Sequence, residues 1–495
     1  MGTTNPSLQS PGSNGAMADE SLQGYIQRKL PNPVNWTDPY QSGLMGVGGG
    51  RSGLGFTHVK VALIGDSITA RSLTASYTPP VLAQSAIAPW NWANAVLGAP
   101  FVFAQNLAVS GDKTTGIFSR ISSVSNDIDV CFVMAGINDV IASLSSASII
   151  TNITNGVANL VAAGKTVVIS TILPNNALTG PQVTVLNAVN AFIRTLASAS
   201  VFVVDGFSAL GGNVADGTAT AGYLNADNTH PTAAGAQVFG QHSTTRAALT
   251  AAFGKVFPNI SPYENFQQAN ILYNEFRRST GGTAGTISAG SGTIADNWRC
   301  LQNAGTATFT VDASAAYAKG ADFIGPWTTA PLSTDAYYQA FNVTAAAASD
   351  NPRLRYSTAL TSSASNFSDG IFGGSLAFVE VEISVTGAVN LQEVLVNCEA
   401  FFTAGTSPAD QPGYGTSFAR AQAGSSTDSS SAAPAVPADY HIVWRTPVVR
   451  VPENINSTVA VTLLPSFDMK FLGAGSATVK FSRPRVWVKN MDRMA

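Results

Sequence analysis

The run Val59-Lys60-Val61-Ala62-Leu63-Ile64, which ends in Gly65-Asp66-Ser67, constrains the fold more than any other stretch of the chain. Mostly aliphatic and β-branched residues predict a strand buried on both faces, and Gly-Asp-Ser is turn chemistry at its carboxyl end. Four further apolar runs, at 101–105, 130–135, 166–171 and 201–204, alternate with helical stretches at 90–97, 147–163, 181–199 and 233–252. Pro181 suits the first turn of its helix. This alternation predicts a doubly wound, three-layer α/β domain over residues 56–254. In such a sheet ligands bind beyond the carboxyl ends of the strands, so a serine after the first strand is aimed at solvent.

At 495 residues the chain exceeds one core, and 45% apolar residues supply material for more. After residue 255 helical periodicity fades. Alternating segments at 306–311, 376–385, 392–398, 442–451, 458–464 and 477–481 lie between Gly, Ser, Asn and Pro clusters, which predicts an all-β jelly-roll sandwich over 255–495. Residues 424–438 read as a polar loop inside it. Residues 1–55, rich in Gly, Pro, Ser and Asn, read as an extended arm that docks onto something larger, with one short amphipathic stretch at 20–30.

Only 11% of residues are charged and the net charge is −3, so no basic footprint for nucleic acid or anionic membrane is present. The lack of an eighteen-residue apolar run argues against a membrane-spanning helix, and the first residues lack a signal-peptide pattern. Cys131, Cys300 and Cys398 fit no metal-ligand spacing; Cys131 reads as a buried small hydrophobe, and a Cys300–Cys398 disulfide stays open. Gly48, Gly50 and Gly53 precede the first strand, where a dinucleotide turn would have to follow it. Gly164-Lys165-Thr166 ends a helix instead of opening one. No metal or cofactor is therefore expected, and chelators should not affect activity.

Four short stretches follow strand ends: Gly65-Asp66-Ser67, Ser110-Gly111-Asp112, Gly136-Ile137-Asn138-Asp139 and Asp227-Asn228-Thr229-His230-Pro231. A parallel sheet gathers them on one rim, however distant they are in sequence. Their residue types are those of acyl transfer. A serine must hand its proton to a base, for which His230 is the candidate, and Asp227 three residues earlier can hold the imidazole in one tautomer. Backbone N–H groups at Ser67 and Gly111, with the Asn138 amide, can serve an oxyanion, where losing one donor costs about 3 kcal/mol. A glycine at 111 keeps a Cβ out of the path of a carbonyl approaching the backbone.

These stretches resemble the SGNH (GDSL-type) hydrolase family in its block order, with Asn106 to Asp112 forming the second block and Ile68 standing where leucine is common. The resemblance covers about two fifths of the chain. It implies a flavodoxin-like SGNH fold and a serine esterase in which Ser67 is nucleophile, His230 base and Asp227 its partner, with Ser67, Gly111 and Asn138 as oxyanion hole. Residues 270–298 look like the opening of jelly-roll domains similar to carbohydrate-binding modules, which occur beside hydrolases in bacteriophage tail proteins. The combination implies deacetylation of a carbohydrate or polysaccharide by an extracellular or virion-associated protein, attached through its arm or as a homo-oligomer. An adhesin and a lipase or thioesterase are the alternatives.

Other candidates have plainer explanations. His58, His242 and His441 read as structural, Asp66 as turn support and Asp139 as a cap. Trp90 and Trp92 read as helix packing. Trp298, Trp327, Trp444 and Trp487 can serve either the core or a sugar face.

Overall fold

The computed structural model describes residues 59–77, 80–256, 286–287, 290–292, 294, 298–312, 338–348, 351–356, 360–362, 376–402, 417–423, 439–450 and 461–489. The arm, the loop at 424–438, Trp327 and most of 270–298 lie outside the described residues, as does the Trp487 side chain.

The first half is an α/β domain. Its strands are β1 (Val59–Gly65), β4 (Phe101–Asn106), β5 (Val130–Met134), β6 (Thr166–Ser170) and β7 (Val201–Val204), interrupted by a hairpin of β2 (Thr74–Tyr77) and β3 (Pro80–Gln84). The five-stranded sheet runs β4-β1-β5-β6-β7 with every pair parallel, the flavodoxin-like order. Every residue of β1, β5 and β6 is buried, as aliphatic runs without alternation require. Helices are α1 (Ser67–Ala70), α2 (Pro89–Val96), α3 (Thr114–Ser119), α4 (Ile137–Ile141), α5 (Ser146–Ala162), α6 (Gly180–Arg194), α7 (Gly206–Ala209), α8 (Ala233–Gln241) and α9 (Ser243–Val256).

Local chemistry sets the helix ends. Thr179 and Gln182 form a capping box at the start of α6, with Pro181 in its first turn. Gly164 at φ +76° ends α5, and the Lys165 ammonium then donates to the carbonyls of Ser125, Asn126 and Ile128 at 2.9 Å each. The stretch expected as one helix over 233–252 is two. His242 turns extended between α8 and α9; its Nδ1 lies 2.9 Å from Thr244 Oγ1, which accepts the Asp205 N–H at 3.0 Å.

The second half is sheet-rich. Leu376–Phe402 and Val461–Lys489 pair antiparallel along most of their length, so segments expected as separate strands at 376–385 and 392–398 are one bent strand. The bend carries Gly387 at φ +60° and Asn390 at φ +53°, where the register shifts. Trp298 stacks on Phe467 at 5.6 Å and is fully buried, which makes it a core residue and not a sugar platform. His441 pairs with Glu382 at 2.8 Å and Arg445 with Glu380 at 3.0 Å, all four buried. The three cysteines are free and buried, so Cys300 and Cys398 form no disulfide.

Two features join the halves. Strand β3 pairs in parallel with Ser417–Ala423, so the hairpin extends the second sheet. Helix α2 has all eight residues buried. One face turns Trp90 to Phe132 and Phe239, at 4.9 and 5.2 Å; the other turns Trp92 to Tyr440 and Trp444, at 5.2 and 5.4 Å. Trp444 is thereby a packing residue too.

Candidate active site

Ser67 is the first residue of α1, directly beyond β1. Gly65 has to be glycine because an added Cβ would lie 2.5 Å from the Met134 carbonyl oxygen, so the end of β1 can press against β5. Asp66 caps the helix, its Oδ1 accepting the Ile68 N–H at 3.0 Å. A first helical residue has no intrahelical acceptor for its N–H, so the Ser67 amide is available to a ligand.

The second stretch is strapped to the first. The Asn106 side-chain amide donates to the carbonyls of Ala70 and Leu73, at 3.0 and 2.7 Å, and its oxygen accepts the Ala108 N–H at 3.1 Å. Backbone bonds from Leu107 to Leu63 and from Val109 to Gly65 fix the loop against β1. Gly111 is exposed at φ +81°, and no atom beyond its two chain neighbours lies within 4 Å of the Cβ it lacks. The constraint the chain itself places there is therefore backbone conformation. Gly111→Ala is expected to cost about 1 kcal/mol or more from that positive φ alone, and kcat measured beside thermal melting will register both the strain and the shifted amide.

Gly136 adopts φ +118° at the start of α4, where a Cβ would meet Ile172 at 2.7 Å. Asn138, one turn into the site, donates from Nδ2 to the Asp112 carbonyl at 2.9 Å, which ties the third stretch to the second. Asp139 is fully buried and accepts the Thr114 N–H and hydroxyl at 2.8 and 2.7 Å. It caps α3 from across the site, and Asp112 pairs with Arg120.

The fourth stretch closes the group. Asp227 Oδ1 accepts the N–H groups of Thr229 and His230, each at 2.9 Å, in a tight turn with Asn228 at φ +64°. Its Oδ2 lies 2.7 Å from His230 Nδ1, and His230 Nε2 lies 2.7 Å from Ser67 Oγ. Partial burial pulls the Asp227 carboxyl upward. The two backbone N–H groups and the imidazole outweigh it and hold the group below its ordinary value. It is thus a carboxylate facing Nδ1, which favours the Nδ1–H tautomer and leaves Nε2 able to take the serine proton.

Of the five residues proposed from sequence, Ser67 opens α1, Asn138 lies in the first turn of α4, and Gly111, Asp227 and His230 lie on loops; Asp227, His230 and Ser67 are joined by direct hydrogen bonds. The sequence reading missed the supports of the histidine turn. The Asn225 N–H donates to the His230 carbonyl at 2.8 Å and its side-chain amide to the Pro231 carbonyl at 2.9 Å, while the Asn175 amide donates to the Thr229 hydroxyl at 2.8 Å. Asn225 carries one sequence signal, a polar amide just before Asp227, whereas Asn175 lies far from any of the four stretches and carries none. Among the described residues no group of three or more His, Cys, Asp or Glu could hold a metal ion, and no helix is long and apolar enough to cross a membrane.

Residues 63–238 match the GDSL-like Lipase/Acylhydrolase family. The match supports the GDSL/SGNH resemblance, and with it ester hydrolysis, for the α/β half. No curated protein matches the chain. Solved structures similar to part of it include a carbohydrate esterase family 3 protein from Talaromyces cellulolyticus, 21% identical over 40% of this chain and 99% of that one, TM-score 0.31. A GDSL-like lipase from Bacteroides thetaiotaomicron is 14% identical over 40% and 88%, TM-score 0.29. A lipolytic G-D-S-L protein from Veillonella parvula is 17% identical over 41% and 100%, TM-score 0.29.

Proposed function

We propose that this protein is a serine esterase that removes short acyl groups, O-acetyl foremost, from a carbohydrate or surface polysaccharide. The observation that carries the reading is the unbroken relay from Asp227 through His230 to Ser67, with both links at 2.7 Å. In this reading Ser67 Oγ attacks the ester carbonyl as His230 Nε2 takes its proton. Asp227 steadies the imidazolium, and the N–H groups of Ser67 and Gly111 with the Asn138 amide receive the oxyanion. The imidazolium then protonates the departing sugar oxygen, leaving the acyl group as an ester on Ser67 Oγ; water, deprotonated by His230, attacks that ester, and the imidazolium returns its proton to Ser67 Oγ as the acid leaves.

The rim around the serine is open, which leaves room for a bulky polyol ester. Val109, Ser110 and Gly111 are exposed beside it, and the Asp227 side chain is 43% exposed. The β-rich half fits the same reading as a jelly-roll sandwich that holds polysaccharide, in a phage tail or spike attached through residues 1–55. Trp298 and Trp444 contribute nothing to a sugar surface, being buried in packing.

Acetate release from a panel of O-acetylated polysaccharides tests activity and substrate class together. p-Nitrophenyl acetate is expected to be cleaved faster than esters of long acyl chains, and the reverse order would make the protein a lipase. Activity is expected to fall in acid, because imidazolium cannot accept the serine proton; a rate level down to about pH 4 would remove the histidine base.

A further inference from the structure

Asp66 belongs to no step of the reaction just described, yet it is fully buried against the nucleophile. Its two oxygens have different surroundings. Oδ1 accepts the Ile68 N–H at 3.0 Å, whereas Oδ2 has no hydrogen-bond partner among the described residues. The charged groups acting on it are Asp139, on α4, and Asp112, on the loop after β4, and both are acids. Each already has its own partners, Thr114 for Asp139 and Arg120 for Asp112. A carboxylate here would be a buried anion with one unsatisfied oxygen and two like charges nearby, which is costly; a proton removes most of that cost.

We propose that Asp66 is a positioning residue that works as an uncharged carboxylic acid, its carbonyl oxygen capping the helix that presents Ser67. The proposal rests on Ser67 being the nucleophile. Neutrality has a purpose at that place: an anion one residue from the serine would oppose the negative charge that develops on the substrate oxygen. Burial, followed by the two neighbouring acids, pushes the Asp66 carboxyl up to about 7 despite the opposing backbone bond from Ile68. The sign of the linkage follows. A carboxyl whose folded value is raised favours the folded protein most below its unfolded value of about 3.9, and that contribution is lost as pH rises toward 7.

Asparagine is shaped like the neutral acid, with an oxygen for Ile68 and no charge to acquire; alanine removes the cap. The experiment compares wild type, Asp66→Asn and Asp66→Ala by thermal melting at pH 5 and pH 8, and by kcat/KM against pH. Asp66→Asn is expected to melt higher than wild type at pH 8, with the difference narrowing at pH 5. Asp66→Ala is expected to lower kcat about tenfold at pH 6, and asparagine to restore most of that loss. The alkaline decline that ionisation of Asp66 imposes on wild type should be absent from Asp66→Asn.

If asparagine melts below wild type at pH 8, or gives the same difference at both pH values, the acid is not held neutral and the proposal fails. Equal loss of kcat in the asparagine and alanine variants would also overturn it. The melting comparison needs no substrate, so it decides the protonation of Asp66 even if Ser67 proves not to be a nucleophile. Failure of the esterase reading alone would appear as unchanged turnover in Ser67→Ala.

Discussion

Ser67→Ala is expected to lower kcat by about 10⁴-fold or more, and His230→Ala by a comparable factor. The reason is geometric. Ser67 Oγ and His230 Nε2 share one 2.7 Å contact, so each is the other's route for the proton, and removing either leaves the second without a function. The double variant should be hardly worse than either single one, since groups that act as a unit do not add. Folding should be spared in Ser67→Ala. The helix cap comes from Asp66 and the loop strap from Asn106, neither of which uses the serine hydroxyl. Steady-state rates on an acetyl ester, with melting curves as control, test the assignment. Turnover like wild type in either variant would end it.

Trp92→Ala is expected to destabilise the protein by about 3–5 kcal/mol. The indole is 2% exposed, packs edge-on to Tyr440 and Trp444, and donates from Nε1 to the Ala86 carbonyl. Truncation would lose the aromatic contacts, open a cavity between the halves and leave the Ala86 oxygen short of a donor. Trp92 shares its helix with Trp90, which packs on Phe132 in the central sheet, so the loss should be felt on both sides of the junction. Denaturant unfolding followed by tryptophan fluorescence measures it. A loss under about 1 kcal/mol, or an effect confined to one of two separate transitions, would show that the halves are stabilised independently.

The four candidate stretches were readable because each is a local signal. Gly65 and Gly136 mark close backbone approaches at strand ends and Gly111 a positive φ in its loop, and the strands themselves are apolar runs whose partners are dictated by parallel winding. Asn175 and Asn225 were not readable as supports, because their acceptors lie across folded loops and an amide in a polar stretch resembles any other. The same holds for β2 and β3. Thr74-Ala75-Ser76-Tyr77 is too short a run to read as a strand, and Pro79-Pro80 reads as a break; β3 is a strand because the remote segment 420–423 pairs with it, and β2 because it pairs with β3. In the β half, alternation located the segments but not their continuity. Whether a strand bends through Gly387 and Asn390 or stops there depends on the long partner at Val461–Lys489.

The hairpin has a consequence for biosynthesis. Val81–Gln84 meets Arg420–Ala423, which leave the ribosome about 340 residues later. Until then a nascent chain carries the hairpin, a few residues from the helix that begins at Ser67, with a free edge open to wrong pairing. Completion of the hairpin's sheet thus waits on the second half, and a polypeptide interrupted before residue 417 would emerge with the outer edge of β3 unpaired by its partner.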